Sequence, residues 1–161
     1  MKTIIGLTLI GLAFFVALAA AVQTPASTDL EKFTGTWKGT LTLIGSIKDI
    51  DVTLKIGCTD GRLTAQADFD NRHMPTESWG EINEITPKGD ELTILLTYRA
   101  KDIPGKVKAP ADGSQARYTL KISSEVLSGN ALNLRSKGQF NVKLNRTEAM
   151  VACIVTSASA R

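Results

Sequence analysis

The sequence predicts an all-β protein: an eight-stranded antiparallel up-and-down β-barrel preceded by a cleavable signal peptide. Three observations carry that prediction. Apolar and polar residues alternate in period two through almost the whole chain after residue 34, turn-forming residues punctuate the alternation at short intervals, and only Thr28 to Thr34 has helical character. Short strands joined mainly by hairpins can close into a barrel or divide into a two-sheet sandwich. Closure removes exposed edges, and the chain carries no obvious edge protection, so the barrel is preferred.

The N-terminus has the layout of an export signal: Lys2, an apolar run from Ile4 to Leu18, and the small-residue patterns Ala17-Leu18-Ala19 and Ala19-Ala20-Ala21. Residues 1–21 are therefore expected to be a signal peptide, and the protein to be secreted or periplasmic. The apolar run is short for a bilayer span, so stable membrane insertion is not expected; an uncleaved N-terminal anchor is the alternative. Removal of the signal leaves 161 − 21 = 140 residues, the size of one domain. The expected divisions are a linker with a short helical plug (22–34), the barrel (35–147) and a C-terminal tail (148–161). The formal charge of +3 falls to +2 without Lys2, too little to point to nucleic acid or an anionic membrane.

In the plug, Asp29 is placed to cap a helical turn from which Leu30 and Phe33 pack down. The first strand opens at Gly35, with Trp37, Gly39, Leu41 and Leu43 on one face and Thr36, Lys38, Thr40 and Thr42 on the other. The second repeats the pattern, with Ile50, Val52, Leu54, Ile56 and Cys58 inward. Asp60-Gly61 supplies the positive φ angles of a tight hairpin into the third strand, Arg62 to Asp70, whose inward residues are Leu63, Ala65, Ala67 and Phe69. The fourth is expected from about Trp79 to Thr86. Ile82 and Ile85 stand three apart in it, which breaks alternation and predicts a bulge or a short bent strand.

Pro87-Lys88-Gly89-Asp90 makes the next turn, and Glu91 to Arg99 the fifth strand, with Leu92, Ile94, Leu96 and Tyr98 inward. Ala100 to Ser114 is a long irregular loop holding Lys101, Lys106 and Lys108, and loops of that length are often functional. The sixth strand, Gln115 to Ser123, turns Tyr118, Leu120 and Ile122 inward. The seventh is expected from about Val126 to Leu134 with an interruption at Gly129-Asn130, and the eighth from Gln139 to Arg146, with Arg146 on the inward parity.

Cys58 and Cys153 are the only cysteines, and in an oxidising compartment they have one intramolecular pairing. A disulfide between them would pin the tail to the second strand; two buried thiols are the alternative. No Cys-x-x-Cys motif suggests redox catalysis.

The opening Phe33-Thr34-Gly35-Thr36-Trp37, the eight-strand meander and the closing Leu144-Asn145-Arg146 resemble the calycins, the superfamily of lipocalins, fatty-acid-binding proteins and avidins. The resemblance implies that Gly35, Trp37 and Arg146 form the structural closure of the barrel, with the Arg146 guanidinium over the Trp37 ring in a cation–π contact of roughly 0.5–2 kcal/mol. The chain is also similar to the small β-barrel domain of some secreted bacterial α/β-hydrolases. The shared features are the Gly-Thr-Trp opening, the hairpin residues Asp60, Gly61, Leu63 and Ala65, the turn residues Gly89, Asp90 and Leu92, and the closing Leu-Asn-Arg. The Thr-Asp-Tyr motif and helix of lipocalins are missing. With Trp37 and Trp79 as the only tryptophans, an avidin-type biotin site is not expected.

Reactive chemistry is sparse. His73, the single histidine, stands near Asp68, Asp70 and Glu77, but one histidine beside loop carboxylates falls short of a zinc site, and no metal or cofactor is expected. No Gly-x-Ser-x-Gly elbow or distinctive carboxylate pair occurs, so the protein is not expected to be an enzyme. Arg99 and the loop lysines could steer an anionic partner, although Asp102 and Asp112 offset them locally. Asn145-Arg146-Thr147 fits a glycosylation sequon.

The function expected on these grounds is binding of a small apolar or amphipathic ligand inside the barrel. Its lining would be Leu41, Leu54, Ala65, Ala67, Phe69, Trp79, Leu96, Tyr98 and Tyr118, with small Gly39, Ala65 and Ala67 leaving space opposite bulkier neighbours. The alternative is a filled barrel serving as a protein-interaction or accessory module through its long basic loop, with no small-molecule ligand.

Overall fold

In the computed structural model, which describes residues 27–45, 49–70, 77–100, 112–148 and 152–153, one helical turn precedes eight strands. They are α1 (Ser27–Glu31), β1 (Gly35–Leu43), β2 (Asp49–Thr59), β3 (Arg62–Asp70), β4 (Glu77–Lys88), β5 (Glu91–Ala100), β6 (Gln115–Ser123), β7 (Val126–Asn133) and β8 (Gln139–Glu148). Every strand pairs antiparallel with its sequence neighbours, and β1 pairs with β8, so the sheet closes in the order β1 to β8. The expected signal peptide, His73, and Lys101, Lys106 and Lys108 lie outside the described residues.

Alternation dictates the wall. β6 swaps exposed and buried residues at every step from Gln115 to Ser123, and β2 buries Val52, Leu54, Ile56 and Cys58 while its odd-numbered partners face outward. The β2–β3 turn has φ of 50° at Asp60 and 69° at Gly61, the two left-handed angles that match a hairpin to strand twist. In β4 the register slips between Ile82 and Glu84, leaving Asn83 as the extra residue. The bulge resets the parity, so Ile82 and Ile85 both pack on the core despite their odd spacing. Asn83 is not idle: its Oδ1 accepts a hydrogen bond from the Thr97 hydroxyl at 2.9 Å.

Two expectations about the wall need correction. β7 is not interrupted at Gly129-Asn130, because Gly129 pairs with Leu120 and Val142, and Asn130 with Thr119 and Asn141. Its glycine marks a close strand approach, where a Cβ would collide with the Thr119 carbonyl. Gly39 likewise leaves no room for a ligand. A Cβ there would fall on the Lys143 carbonyl, so the missing side chain lets β8 close against β1.

The two ends of the barrel differ. At one end the strands are joined by the tight turns Asp60-Gly61, Gly89-Asp90 and Ser124-Glu125, and α1 packs across the opening with Leu30 and Phe33 buried. α1 begins at Ser27, which puts Asp29 within the turn rather than at its cap. The connections at the opposite end are longer: 44–48, 71–76, 101–114 and 134–138.

Candidate functional site

The closed end is built around Arg146. Its guanidinium carbon lies 4.2 Å from the centroid of the Trp37 ring, as the closure motif implied. Nη2 donates to the Lys32 carbonyl at 2.7 Å and Nη1 to the Thr34 carbonyl, so one fork holds the chain leaving α1. Nε lies 2.6 Å from Glu125 Oε2, but the N–H direction yields no hydrogen bond, and the contact is ionic only. The Trp37 indole N–H donates to the Phe33 carbonyl at 2.8 Å. Lys32 Nζ reaches Asp90 Oδ1 at 2.9 Å across the β4–β5 turn and, with its hydrogen bond, holds the Asp90 carboxyl below its ordinary pKa.

The C-terminal tail completes this closure. Cys58 and Cys153 form a disulfide spanning 95 positions with their Cα atoms 4.6 Å apart, and the Cys153 amide donates to Glu31 Oε1 at 3.2 Å. Cys153 is thereby tied both to β2 and to the plug. Gly35, Trp37 and Arg146 lie together at this end as a structural lock, with the Trp37 indole N–H and both Arg146 Nη groups donating to backbone carbonyls.

Toward the other end the interior changes character. Trp37, Leu92, Leu120, Leu127 and Leu144 are at most 1 % exposed, whereas Ile50, Tyr98 and Phe140 are half-buried and Leu43 is 37 % exposed. All four of the latter sit on inward-facing positions near strand ends at the long-loop side. They form an apolar rim. Within it, Tyr98 packs its ring against Phe69 with centroids 4.9 Å apart.

Below the rim, the Tyr98 and Tyr118 hydroxyls are 2.6 Å apart and share a hydrogen bond. Burial raises both phenol pKa values, Tyr118 well above the ordinary range, where the neighbouring Tyr98 adds to the effect; for Tyr98 the shared bond pulls the other way. Tyr98 as a residue stays half-buried. Both groups are held neutral at physiological pH.

Of the residues expected to line the interior, Leu41, Leu54, Ala67, Phe69, Leu96 and Tyr118 are inward and at most 5 % exposed, and Ala65 and Tyr98 are inward and half-buried. Trp79 is not in the lining. It is 43 % exposed on the outer face, cross-strand from Asp68 and Arg99, because Gly80 and Ile82 take the inward positions of β4. Leu43, Ile50 and Phe140 join the rim although they were absent from the expected lining. Their inward parity was the available signal; their position at strand ends was what sequence did not reveal.

The outer wall carries two shallow grooves. One of about 390 Å³ runs over Thr36, Lys55, Gly57, Thr64 and Glu148, and one of about 430 Å³ over Asp51, Thr53, Asp68, Asp70 and Ser78. Among the described residues no three His, Cys, Asp or Glu side chains are grouped to hold a metal ion, and no helix is long and apolar enough to cross a membrane. No family model, curated protein or solved structure matches the chain.

Proposed function

We propose that this protein is an exported, calycin-like barrel that takes a small apolar or amphipathic ligand at its open end and catalyses no reaction. The observation that carries the reading is the difference between the two ends of the barrel. Arg146, the disulfide and α1 seal one end, while Leu43, Ile50, Tyr98 and Phe140 leave apolar surface at the other. Apolar area that water reaches favours a guest, with each buried methylene contributing about 0.8 kcal/mol. The Cys58–Cys153 disulfide and the N-terminal signal pattern support an oxidising compartment. The Trp37–Arg146 lock supports the calycin kinship, and the neutral tyrosine pair offers no general acid or base near pH 7.

Titration with the uncharged fluorophore N-phenylnaphthylamine tests the reading, together with native mass spectrometry of protein purified from the exporting host. Saturable uptake, or a co-purifying small molecule, is expected. Neither uptake nor a bound species would leave the second reading, a filled barrel used as an accessory or interaction module. The observation favouring that reading is the full burial of Trp37, Leu41, Leu92, Ile94 and Leu96, which fills much of the interior.

A further inference from the structure

Two hydroxyls facing each other carry two protons, yet one shared hydrogen bond uses only one. In the Tyr98–Tyr118 pair, whichever hydroxyl accepts keeps its own proton, and neither ring has a further hydrogen-bond partner among the described residues. Tyr118 is 4 % exposed, so a spare proton on its hydroxyl is denied bulk water. Tyr98 is half-buried, which puts the pair within reach of the rim.

Charge inside the barrel is equally restricted. On the inward faces of the described strands the one ionised side chain is Arg146, and it is committed at the closed end to two carbonyls, Trp37 and Glu125. A carboxylate drawn in beside the tyrosines would lose its hydration without gaining a cation. A carbonyl, ester or amide would lose far less, and its oxygen would accept a hydrogen bond from the spare hydroxyl.

We infer that the barrel selects ligands whose apolar chain carries a neutral hydrogen-bond acceptor, bound by the Tyr98–Tyr118 hydroxyl pair, and that it discriminates against free fatty carboxylates. This rests on the ligand-binding reading above. One hydrogen bond gained by an otherwise unsatisfied buried donor corresponds to roughly tenfold in affinity, and the unpaired carboxylate should fall behind by at least as much.

The test is displacement of N-phenylnaphthylamine from the mature protein by three competitors of equal length: a methyl ketone, an n-alkane and a fatty carboxylate at neutral pH. The ketone is expected to act at roughly tenfold lower concentration than either of the others. A single Tyr→Phe change leaves one hydroxyl with its proton, so the decisive variant is Tyr98→Phe with Tyr118→Phe. It should lose the ketone preference, the ketone then displacing the probe no better than the alkane, and a retained far-ultraviolet β signal shows that the barrel is intact. Equal displacement by ketone and carboxylate in the wild type, or a ketone preference that survives in the double variant, would overturn the inference and leave ligand binding standing. Absence of probe uptake by the wild type would overturn both. If the double variant does not fold, the wild-type comparison of ketone with carboxylate decides alone.

Discussion

Trp37 and Arg146 are cross-strand partners on the β1–β8 seam, and the guanidinium lies 4.2 Å above the indole ring. The register between these strands shifts just before Trp37, so that Thr36 pairs with Glu148 and its hydroxyl donates to that carboxylate. Arg146 keeps the regular alternation of β8 and so faces inward at the last regular pair of the seam, where it reaches the carbonyls that follow α1. One side chain thus joins first strand, last strand and plug.

Replacing Arg146 should therefore cost more than a surface ion pair would. Arg146→Met removes two charge-assisted hydrogen bonds and the ring contact, an expected loss of about 3 kcal/mol in urea unfolding. Arg146→Lys should recover only part of that, because an ammonium cannot span both carbonyls as the planar fork does. Glu125→Gln should cost less than about 1 kcal/mol, since the Glu125 side chain is 65 % exposed. A loss below about 1 kcal/mol for Arg146→Met would show that the plug is held by apolar packing alone.

The disulfide should act mainly on the unfolded chain. Opening a loop of 95 residues by Cys58→Ser with Cys153→Ser is expected to lower stability by about 4 kcal/mol, with the barrel still formed. Thiol reagents should leave the oxidised native protein unlabelled until a reductant is added. Labelling without reductant would mean that the tail is not pinned.

The two tryptophans report opposite environments. Trp37 is fully buried and Trp79 is 43 % exposed, so a Trp79→Phe variant should emit at shorter wavelength and resist acrylamide quenching. Trp79→Ala should change stability by no more than about 0.5–1 kcal/mol, whereas Trp37→Ala should cost about 3–5 kcal/mol. Efficient quenching in Trp79→Phe would place Trp37 outside the core.

That contrast also marks where the sequence was informative. Alternation located β3 and β6 to the residue, and the Ile82–Ile85 spacing announced the β4 bulge, because both are local consequences of a two-residue repeat facing one core. The same repeat, followed backward from Ile82 through Gly80, puts Trp79 outside; assigning it to the lining gave aromatic character more weight than parity. Gly129 and Gly39 were opaque for another reason. A glycine in a strand reads as a break or a void, but here each is required by the backbone of a neighbouring strand. The Tyr98–Tyr118 bond depends on how far the strands are staggered around the barrel, which no local pattern encodes.

Because Tyr98 and Tyr118 are the chain's only tyrosines, phenolate absorbance reads this pair alone. Both are raised above the ordinary value of 10.0, first by burial. The folded protein therefore retains phenol protons that the unfolded chain releases once the pH passes about 10. Stability is unaffected by the pair below that point and falls as pH rises above it, by up to about 1.4 kcal/mol per pH unit for each tyrosine still protonated in the fold. In urea the absorbance should rise near pH 10; in the native protein it should stay flat there and rise only at higher pH, together with loss of far-ultraviolet β signal. The variant carrying both Tyr→Phe changes should lose this contribution to the alkaline decline. A native titration superimposable on the unfolded one would mean that water reaches both hydroxyls, and the pair would then have no spare donor withheld for a ligand.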